Sequence, residues 1–125
     1  MIVGDERVLK FVSDALGVSL FPPFTAMGIE KNDEIVAGVI FNCFEGSDVH
    51  ITVAGHGWSR GFYAEVGDYV FHKLGYERMT AITEDHKVAR LAEKLGGQIE
   101  GRMRNHFGVG RDAFIIGILK DEYRF

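Results

Sequence analysis

The chain has 125 residues, of which 46% are hydrophobic and 26% are charged, and its formal net charge is −4 at pH 7. These values predict a single globular domain over residues 1–125, large enough to bury a core without disulfide bonds or a structural metal. They argue against a nucleic-acid-binding protein, because no basic surplus is present to neutralise phosphates. No apolar run is long enough to cross a bilayer, which argues against a membrane protein.

The sequence contains a single cysteine, Cys43, so it has no internal disulfide, as is usual in a reducing compartment. Because Cys43 lies in the apolar run Ile35–Phe44, we expect a buried, inert thiol. Asp5 and Glu6 interrupt any apolar stretch at the N-terminus, so no signal peptide is predicted. We therefore expect a cytoplasmic protein.

The first third of the chain predicts one helix followed by three strands. From Asp5 to Gly17, apolar residues recur at helical spacing, with Asp5 as the cap and Gly17 as the stop. Three apolar runs separated by short turns then predict an antiparallel meander, and Gly38 within it indicates a close approach or a bulge. The predicted strands are Phe24–Ile29, Glu34–Phe44 and Val49–Ala54.

The segment Ile51–Leu74 passes from a strand through a glycine-rich turn into an amphipathic helix. Ser59 is the expected N-cap, and Trp58 and Tyr63 stand at the positions of a hydrophobic staple. Unpaired backbone N–H groups and the helix dipole meet at this turn, and Arg60 adds a full positive charge. Such a place suits a phosphate group, although similar turns often bind nothing. The predicted buried face of the helix is Phe62, Val66, Tyr69, Val70 and Leu74.

The second half of the chain predicts a strand, a helix and two more strands. The strand Arg78–Thr83 follows the amphipathic helix, so it pairs in parallel with Val49–Ala54 through a βαβ crossover. The next helix begins at Asp85 and ends at Gly96. The fold is therefore predicted to be α/β, with a mixed, mostly antiparallel sheet and helices on both faces. The last two predicted strands are Gln98–Met103 and Asp112–Leu119, separated by a loop.

Short motifs in this order resemble the GNAT superfamily of N-acetyltransferases. Members of that family commonly carry an LG-x-x-R segment, a strand, an acidic helix start, LGF and then EG-x-x-R. The similarity extends from about Glu34 to the C-terminus and is greatest to small acetyltransferase-like proteins often encoded by phages. The matching residues are Leu74, Gly75, Arg78, Glu84, Asp85, Leu95, Gly96, Glu100, Gly101 and Arg104.

The resemblance implies a GNAT-like fold and an acetyl-CoA-dependent transfer of an acetyl group to an amine, directly in a ternary complex. It implies that backbone groups of Val53 and Ala54 hold the pantetheine and the thioester carbonyl. It also implies that the turn Gly55–Gly61 binds the pyrophosphate and that His86 lies along the cofactor. The predicted cofactor-binding residues are Val53, Ala54, Gly55, Gly57, Trp58, Ser59, Arg60, Gly61 and His86.

The sequence offers several alternatives for the general base and the general acid. His50 is out of phase with the apolar Ile51 on its strand, and an imidazole is a common general base near neutral pH. Glu45 is an alternative base, while Tyr63 and Tyr123 could protonate the leaving thiolate. Each of these residues also fits an ordinary structural role. The five histidines lack the spacing of a zinc site, so no metal is expected.

A second interpretation belongs to a different class of function. The family's pyrophosphate loop reads Arg/Gln-x-x-Gly-x-Gly/Ala, whereas this chain has Gly57–Phe62 there, and His86 replaces the family's asparagine. The N-terminal region is also shorter than in the family. These differences favour a catalytically inactive GNAT-like domain that serves as a binding or assembly module. The acceptor, a small-molecule or protein amine, is not identified, and exposed sheet edges allow a homodimer.

Overall fold

A computed structural model of the chain describes residues 1–125. Its strands are β1 (Ile2–Val3), β2 (Phe24–Lys31), β3 (Glu34–Glu45), β4 (Asp48–Gly55), β5 (Arg78–Thr83), β6 (Gln98–Gly108) and β7 (Arg111–Leu119). Its helices are α1 (Glu6–Leu16), α2 (Arg60–Gly67) and α3 (His86–Lys94), with a π-helical segment (Asp68–Lys73) that continues α2 and a 3₁₀ turn (Lys120–Glu122). Every predicted helix and strand is present, whereas β1, two residues long, carries no sequence signal.

The seven strands form one sheet in the order β1-β2-β3-β4-β5-β7-β6. Neighbouring strands run antiparallel except β4 and β5, which are parallel and are connected by α2 and the π-helical segment. The prediction of a mixed, mostly antiparallel sheet is therefore confirmed. Because β4 and β5 are parallel, their carboxyl ends reach the same edge of the sheet, where ligands bind in many α/β proteins.

Helices cover both faces of the sheet, as predicted. On one face α1 packs through Val8 and Val12, which form a small core with Ile40. On the other face α2, the π-helical segment and α3 cover a larger core of 18 buried residues that includes Phe62 and Ile116. None of the helices combines the length and the apolar character needed to span a membrane.

A row of small residues lets α1 lie close to the sheet. Gly28 of β2, Gly38 of β3 and Ala54 of β4 stand opposite one another in the registers of the three strands. A Cβ atom added at Gly38 would lie 2.7 Å from a methyl carbon of Val8 and 2.9 Å from one of Val12. The close approach predicted at Gly38 is therefore confirmed, and α1 packing is the reason for a glycine at this position.

The helical segment after β4 departs from the prediction in its second half. The N–H of Leu74 donates to the carbonyl of Tyr69, five residues earlier, at 2.8 Å, which is the hydrogen bond of a π-helix. The wider turn rotates the later side chains, so Phe71 is only 4% exposed while Leu74 is 38% exposed. The prediction that Leu74 lies on the buried face is wrong, because 3.6 residues per turn does not hold across this segment.

Cys43 is exposed, so the prediction of a buried thiol is wrong. Its backbone has a φ of 52°. The pairing of β3 with β4 is irregular between Asn42 and Glu45. Such a bulge interrupts the alternation of inward and outward side chains along a strand. The apolar run around Cys43 therefore does not determine the direction of its side chain.

The predicted loop between the last two strands is instead a hairpin with long strands. β6 extends to Gly108 and β7 begins at Arg111, so only two residues lie between them. The side-chain oxygen of Asn105 accepts a hydrogen bond from the N–H of Gly110 at 2.8 Å. The N–H of Asn105 donates to the Asp112 carboxylate at 2.9 Å. These hydrogen bonds from side chains to the backbone stabilise an irregular but paired hairpin. The sequence pattern did not predict the pairing, because the residues of this segment are typical of turns.

Candidate functional site

The sheet opens between β4 and β5 towards their carboxyl ends. The two strands pair only as far as Ile51 opposite Ala81. Beyond this point Thr52–Gly55 pairs with β3 alone and Ile82–Thr83 pairs with β7 alone. We name this gap the β4–β5 cleft. Backbone groups that face it have no strand partner and are available to a ligand.

The backbone of Val53 faces the β4–β5 cleft. The N–H of His56 donates to the carbonyl of Val36 at 3.0 Å, so these residues form a hydrogen-bonded pair of the β3–β4 ladder. Hydrogen-bonded and non-hydrogen-bonded pairs alternate along antiparallel strands. The backbone groups of Ala54 therefore point towards β3, and those of Val53 point towards the cleft. Of the two residues predicted to hold the thioester, Val53 presents a free N–H there and Ala54 does not.

A tight turn leads the chain from the cleft to the start of α2. Gly55 has a φ of 105°, and a Cβ atom at this position would overlap the carbonyl oxygen of Val36, so only glycine fits. Gly57 also has a positive φ, of 85°. Ser59 caps α2 as predicted, since its hydroxyl accepts from the N–H of Phe62 at 3.1 Å. The two glycines and the cap together fix the first turn of α2 beside the cleft.

The first turn of α2 carries unused hydrogen-bond donors. No protein group accepts from the N–H groups of Arg60 and Gly61. The Arg60 side chain is exposed, and its guanidinium carbon lies 5.1 Å from the centre of the Phe125 ring, in a cation–π contact. The first turn of α2 therefore combines two free donors, the positive end of the helix dipole and the positive charge of the Arg60 side chain. Such a group of positive charges and donors suits a phosphate.

Trp58 lies directly before this turn and is the only tryptophan of the chain. It is half-buried, and its ring centre lies 5.4 Å from that of Phe62. Tyr63 instead pairs with Phe125, with ring centres 5.1 Å apart. The aromatic ring partner of Trp58 is therefore Phe62, while Trp58 and Tyr63 line the same apolar cavity.

A small apolar cavity of about 30 Å³ lies between the sheet and the helices α2 and α3. Val53 lines it from β4, Trp58 and Phe62 line it from the start of α2, and Leu91 and Leu95 line it from α3. All ten lining residues are hydrophobic. The cavity therefore adjoins the strand residue whose N–H faces the β4–β5 cleft, and it offers no polar group to a ligand.

His86 lies on the other side of the cleft from the glycine turn. It is the first residue of α3, whose cap is Asp85, and the Asp85 carboxylate accepts from the N–H of Lys87 at 2.8 Å. The His86 ring packs edge-on against Phe114 of β7, with ring centres 5.3 Å apart. The predicted cofactor-binding residues thus flank the cleft, with Val53–Gly61 on the β4 side and His86 on the β5 side.

The two predicted bases lie at different distances from Val53, one on β4 and one at the end of β3. His50 stands opposite Asn42 and Thr80 in the fully paired part of the sheet. It precedes Val53 by three residues, about 10 Å along a strand, and alternation directs its side chain to the face that α1 covers. Glu45 is the last residue of β3 and pairs with Asp48 at the amino end of β4, so it lies roughly 17 Å from Val53. His50 is therefore the nearer of the two to the cleft.

Tyr123 is held by a hydrogen bond to the backbone of α2. Its hydroxyl donates to the carbonyl of Tyr63 at 2.6 Å. Burial raises the pKa of Tyr123 well above its ordinary range, with a smaller contribution from Tyr63, and burial also raises the pKa of Tyr63. The Tyr123 ring lies against Gly67, where a Cβ atom would collide with it. This arrangement favours a structural role for both tyrosines.

Two residues of the GNAT-like motifs, Arg78 and Glu100, form an ion pair away from the cleft, with Nη2 and Oε1 2.8 Å apart. The hydrogen bond to Glu100 is the main reason why the pKa of Arg78 is raised. Arg78 also contacts Asp48 at 3.5 Å, and the Thr80 hydroxyl donates to Asp48 at 2.8 Å. Because these residues lie at the amino ends of β4 and β5, they hold the parallel pair together and do not line the cleft.

No protein-family model matches the chain, and no curated protein sequence matches it. Solved structures do match it over nearly its full length. One is a mutant form of the spermidine/spermine N-acetyltransferase SpeG from Vibrio cholerae, with a TM-score of 0.78, 17% identity, and coverage of 98% of this chain and 96% of that chain.

Two further structures of the Vibrio cholerae enzyme are similar to the chain. The complex of SpeG with manganese ions has a TM-score of 0.77 and 15% identity and covers 97% of this chain and 92% of that chain. The dodecameric form in an intermediate state has a TM-score of 0.75 and 15% identity, with 97% and 94% covered. In the present chain, no group of three or more His, Cys, Asp or Glu side chains is placed to hold a metal ion.

The agreement extends over the whole sheet and over helices on both of its faces, including the parallel β4–β5 pair at the centre. At this level of sequence identity, the similarity establishes the fold and not the activity. The fold expected from the motif resemblance is therefore confirmed, and the chain has the GNAT N-acetyltransferase fold.

Proposed function

We propose that this chain is an acetyl-CoA-dependent N-acetyltransferase that transfers an acetyl group directly to an amine within a ternary complex. The observation that carries the proposal is the β4–β5 cleft, with the backbone of Val53 turned into it and the first turn of α2 directly after it. The similarity in fold to spermidine N-acetyltransferases supports the same activity.

The Val53 N–H would donate to the thioester carbonyl and to the oxyanion that forms from it. The amine nitrogen attacks the carbonyl carbon, and a tetrahedral intermediate forms. The carbon–sulfur bond then breaks, the new carbon–nitrogen bond remains, and the amine loses a proton. The sulfur leaves with its electron pair and takes up a proton, so the products are the amide and free CoA. A donor fixed by the sheet lowers the cost of the charge that develops on the oxygen.

The cofactor would extend from the cleft over the glycine turn. The N–H groups of Arg60 and Gly61 are free to donate to the pyrophosphate, and the Arg60 guanidinium adds charge attraction. The surface along which the cofactor lies would be formed by Gly55, Gly57, Trp58 and Ser59. Ala54 would contribute only indirectly, and His86 would bound the cofactor on the β5 side.

His50 would serve as the general base. Its position three residues before Val53, on the opposite face of β4 from the apolar cavity, suits an amine that approaches from the α1 side. At roughly 10 Å along the strand, proton transfer would require a bridging water or the acceptor itself to span part of the distance. The test of His50 is therefore kinetic.

Spermidine and spermine are the first acceptors to test, because the structural neighbours are spermidine and spermine acetyltransferases. A net charge of −4 would also attract cationic amines over anionic ones. A peptide with a free lysine side chain should be tested beside them, to represent a protein acceptor. Release of free CoA should exceed the rate without acceptor for at least one of these amines.

Binding of CoA is the first measurement, because Trp58 supplies a fluorescence signal within the proposed site. Titration with CoA should change the Trp58 emission and saturate, and the melting temperature should rise. Ligand at a hundred times its Kd stabilises a protein by about 2.7 kcal/mol, which is a shift of several degrees in a domain of this size. No emission change and no shift at millimolar CoA would contradict the proposal.

The alternative is a binding or assembly module that retains the fold without catalysis. The hydrogen bond that ties the Tyr123 phenol to α2, away from any proton-donor role, is the observation in its favour. Saturable CoA binding with no CoA release from acetyl-CoA, across polyamines and lysine peptides, would support this alternative over the enzyme.

We also infer that copies of the chain associate through a sheet edge. β6 is an edge strand of 11 residues, and exposed strand edges favour pairing with another chain. The dodecameric form of a structural neighbour shows that the fold is compatible with assembly in that protein. Sedimentation analysis at micromolar concentration would test the inference, and a monomer at all concentrations would contradict it.

A further inference from the structure

Residues Glu122–Phe125 connect the end of α3 to α2, and we name them the α2–α3 strap. At the end of α3, the N–H of Arg124 donates to the carbonyl of Leu95 at 3.0 Å. A Cβ atom at Gly96 would lie 2.1 Å from the carbonyl oxygen of Glu122, so the strap passes directly against this turn. The α3 side of the strap is therefore fixed by backbone contacts.

Aromatic side chains fix the α2–α3 strap to α2. The Tyr123 hydroxyl donates to the carbonyl of Tyr63 at 2.6 Å, and the Tyr123 ring lies where a side chain at Gly67 would otherwise be. The Phe125 ring packs against the rings of Tyr63 and Tyr123, with centres 5.1 Å and 6.4 Å apart. The position of Phe125 is therefore set by contacts that do not involve Arg60.

The Phe125 ring lies beside the first turn of α2. Arg60 is the first residue of this helix, and Tyr63 follows three residues later on the same side. The Phe125 ring contacts both side chains, with its centre 5.1 Å from the guanidinium carbon of Arg60. Arg60 forms no ion pair with a carboxylate. Phe125 is therefore the contact that restricts its guanidinium.

Contact with a ring restricts a side chain that is otherwise flexible. An exposed arginine samples many rotamers, and a ligand that fixes it loses part of the binding free energy as side-chain entropy. A guanidinium over an aromatic face keeps its N–H donors at the edge of its plane, where they can reach a phosphate. An arginine that a ring already restrains therefore binds a phosphate at a lower entropic cost.

We propose that Phe125 is a positioning residue of the cofactor site, which holds the Arg60 guanidinium at the first turn of α2 for the pyrophosphate of CoA. The inference rests on the proposed function, because it takes Arg60 as a ligand of the pyrophosphate. It goes beyond that function by giving the α2–α3 strap, which is distant in sequence from the glycine turn, a part in cofactor binding. Phe125 acts through Arg60 and contacts no phosphate itself.

The experiment is calorimetric titration of CoA into the wild-type chain, Phe125→Leu and Phe125→Met, with thermal unfolding as a check of each fold. Both variants keep an apolar side chain against Tyr63 and remove the aromatic face. A cation–π contact at an exposed site changes an equilibrium constant by about twofold to fivefold, so the Kd for CoA should rise by this factor. Phe125→Tyr keeps the ring and should bind CoA as the wild-type chain does. Phe107→Leu is the matched control, because Phe107 is a half-buried aromatic residue of the hairpin, packed on His106.

Two further titrations separate the positioning of Arg60 from a structural effect of the ring. In an Arg60→Gln background, which lacks the charge, Phe125→Leu should leave the Kd for CoA unchanged. At about 1 M salt, which screens the attraction between Arg60 and the pyrophosphate, the ratio of the two Kd values for Phe125→Leu and the wild-type chain should fall towards one. A change in packing alone would act with or without Arg60 and at either salt concentration.

The contrary results are distinct from one another. An unchanged Kd in Phe125→Leu and Phe125→Met, or tighter binding by them, would overturn the proposal, because the ring would then not hold Arg60 in its binding position. An equal rise in Kd with and without Arg60 would show a structural role and overturn it as well. Full CoA affinity in Arg60→Gln would overturn this inference and leave the proposed function intact. No binding of CoA by the wild-type chain would overturn both.

Discussion

The guanidinium carbon of Arg60 lies 5.1 Å from the centre of the Phe125 ring, and that ring lies 5.1 Å from the ring of Tyr63. The first turn of α2 and residue 125 therefore form one packed unit. A cation over an aromatic face gains about 0.5–1 kcal/mol at an exposed site, enough to bias the position of a long side chain. The Arg60 charge is thus held against the aromatic pair of Tyr63 and Phe125.

Reversal of the charge at Arg60 should weaken CoA binding without unfolding the protein. Arg60→Glu replaces an attraction for the pyrophosphate by a repulsion at the same place, and Kd should rise at least about 10-fold, or 1.4 kcal/mol. Trp58 fluorescence measures the affinity, and thermal unfolding checks the fold. Lys73→Glu is the matched control, since Lys73 lies at the other end of the same helical segment and is 66% exposed. Equal affinity of Arg60→Glu and Lys73→Glu would remove Arg60 from the site.

His50→Ala should lower turnover much more than cofactor affinity. General-base catalysis contributes typically 10²-fold to 10⁴-fold, so kcat with the best amine acceptor should fall at least about 100-fold. The Kd for CoA should stay within about twofold, because His50 precedes the cleft and faces away from the cavity. His72→Ala, an exposed histidine of the π-helical segment, is the control. If the two variants turn over at the same rate, His50 has no part in proton transfer.

The six longer strands and the helix caps were predictable from sequence because each depends on local pattern, and the parallel pair follows from the order strand, helix, strand. Ser59 and Asp85 are caps with short polar side chains, and both accept the expected backbone hydrogen bonds. β5 begins and ends at the predicted residues, Arg78 and Thr83. Such features need only the chemistry of a few neighbouring residues.

The failures concern contacts between segments distant in sequence or local departures from regular geometry. The exposure of Cys43 follows from a bulge, and that of Leu74 follows from a π-helical turn; neither changes the hydrophobic pattern. The cavity was not predicted, because Leu91 and Leu95 resemble any apolar helix face until α3 is placed against Val53. The free N–H of Val53 likewise depends on where the pairing of β4 with β5 ends.

Two glycine substitutions should change stability in opposite directions. Gly38→Ala places a methyl group 2.7 Å from Val8 and 2.9 Å from Val12. Because both valines are β-branched and stiff, the free energy of unfolding should fall by about 1–3 kcal/mol. Gly61→Ala adds a Cβ whose nearest neighbour is 3.9 Å away, in the first turn of α2. The free energy of unfolding should rise by about 0.4–1 kcal/mol.

Urea denaturation of the two glycine variants and the wild-type chain measures both effects under one set of conditions. The pair is internally controlled, because each variant adds the same methyl group to the chain. A loss of stability in Gly61→Ala as large as that in Gly38→Ala would show that α1 packing is not the reason for glycine at position 38.

The protein should lose stability at high pH through its buried phenols. The pKa of Tyr123 is raised in the folded state by burial, while the unfolded chain has the ordinary value near 10. Above that pH the unfolded state releases protons that the folded state retains. The free energy of unfolding therefore falls as pH rises, by up to about 1.4 kcal/mol per pH unit for one such group. Tyr63, whose pKa burial also raises, adds in the same direction.

Tyr123→Phe removes the hydroxyl group and keeps the aromatic ring. At pH 7 the variant should lose about 0.5–1.5 kcal/mol, because the hydrogen bond to the Tyr63 carbonyl is removed while the ring stays against Gly67. Between pH 9 and pH 11 its free energy of unfolding should fall less steeply than that of the wild-type chain, since one titrating phenol is absent. Urea denaturation across this pH range measures both. Parallel curves for the two proteins would mean that the Tyr123 phenol ionises as easily in the folded state as in the unfolded chain, which the burial of its ring and its hydrogen bond to α2 oppose.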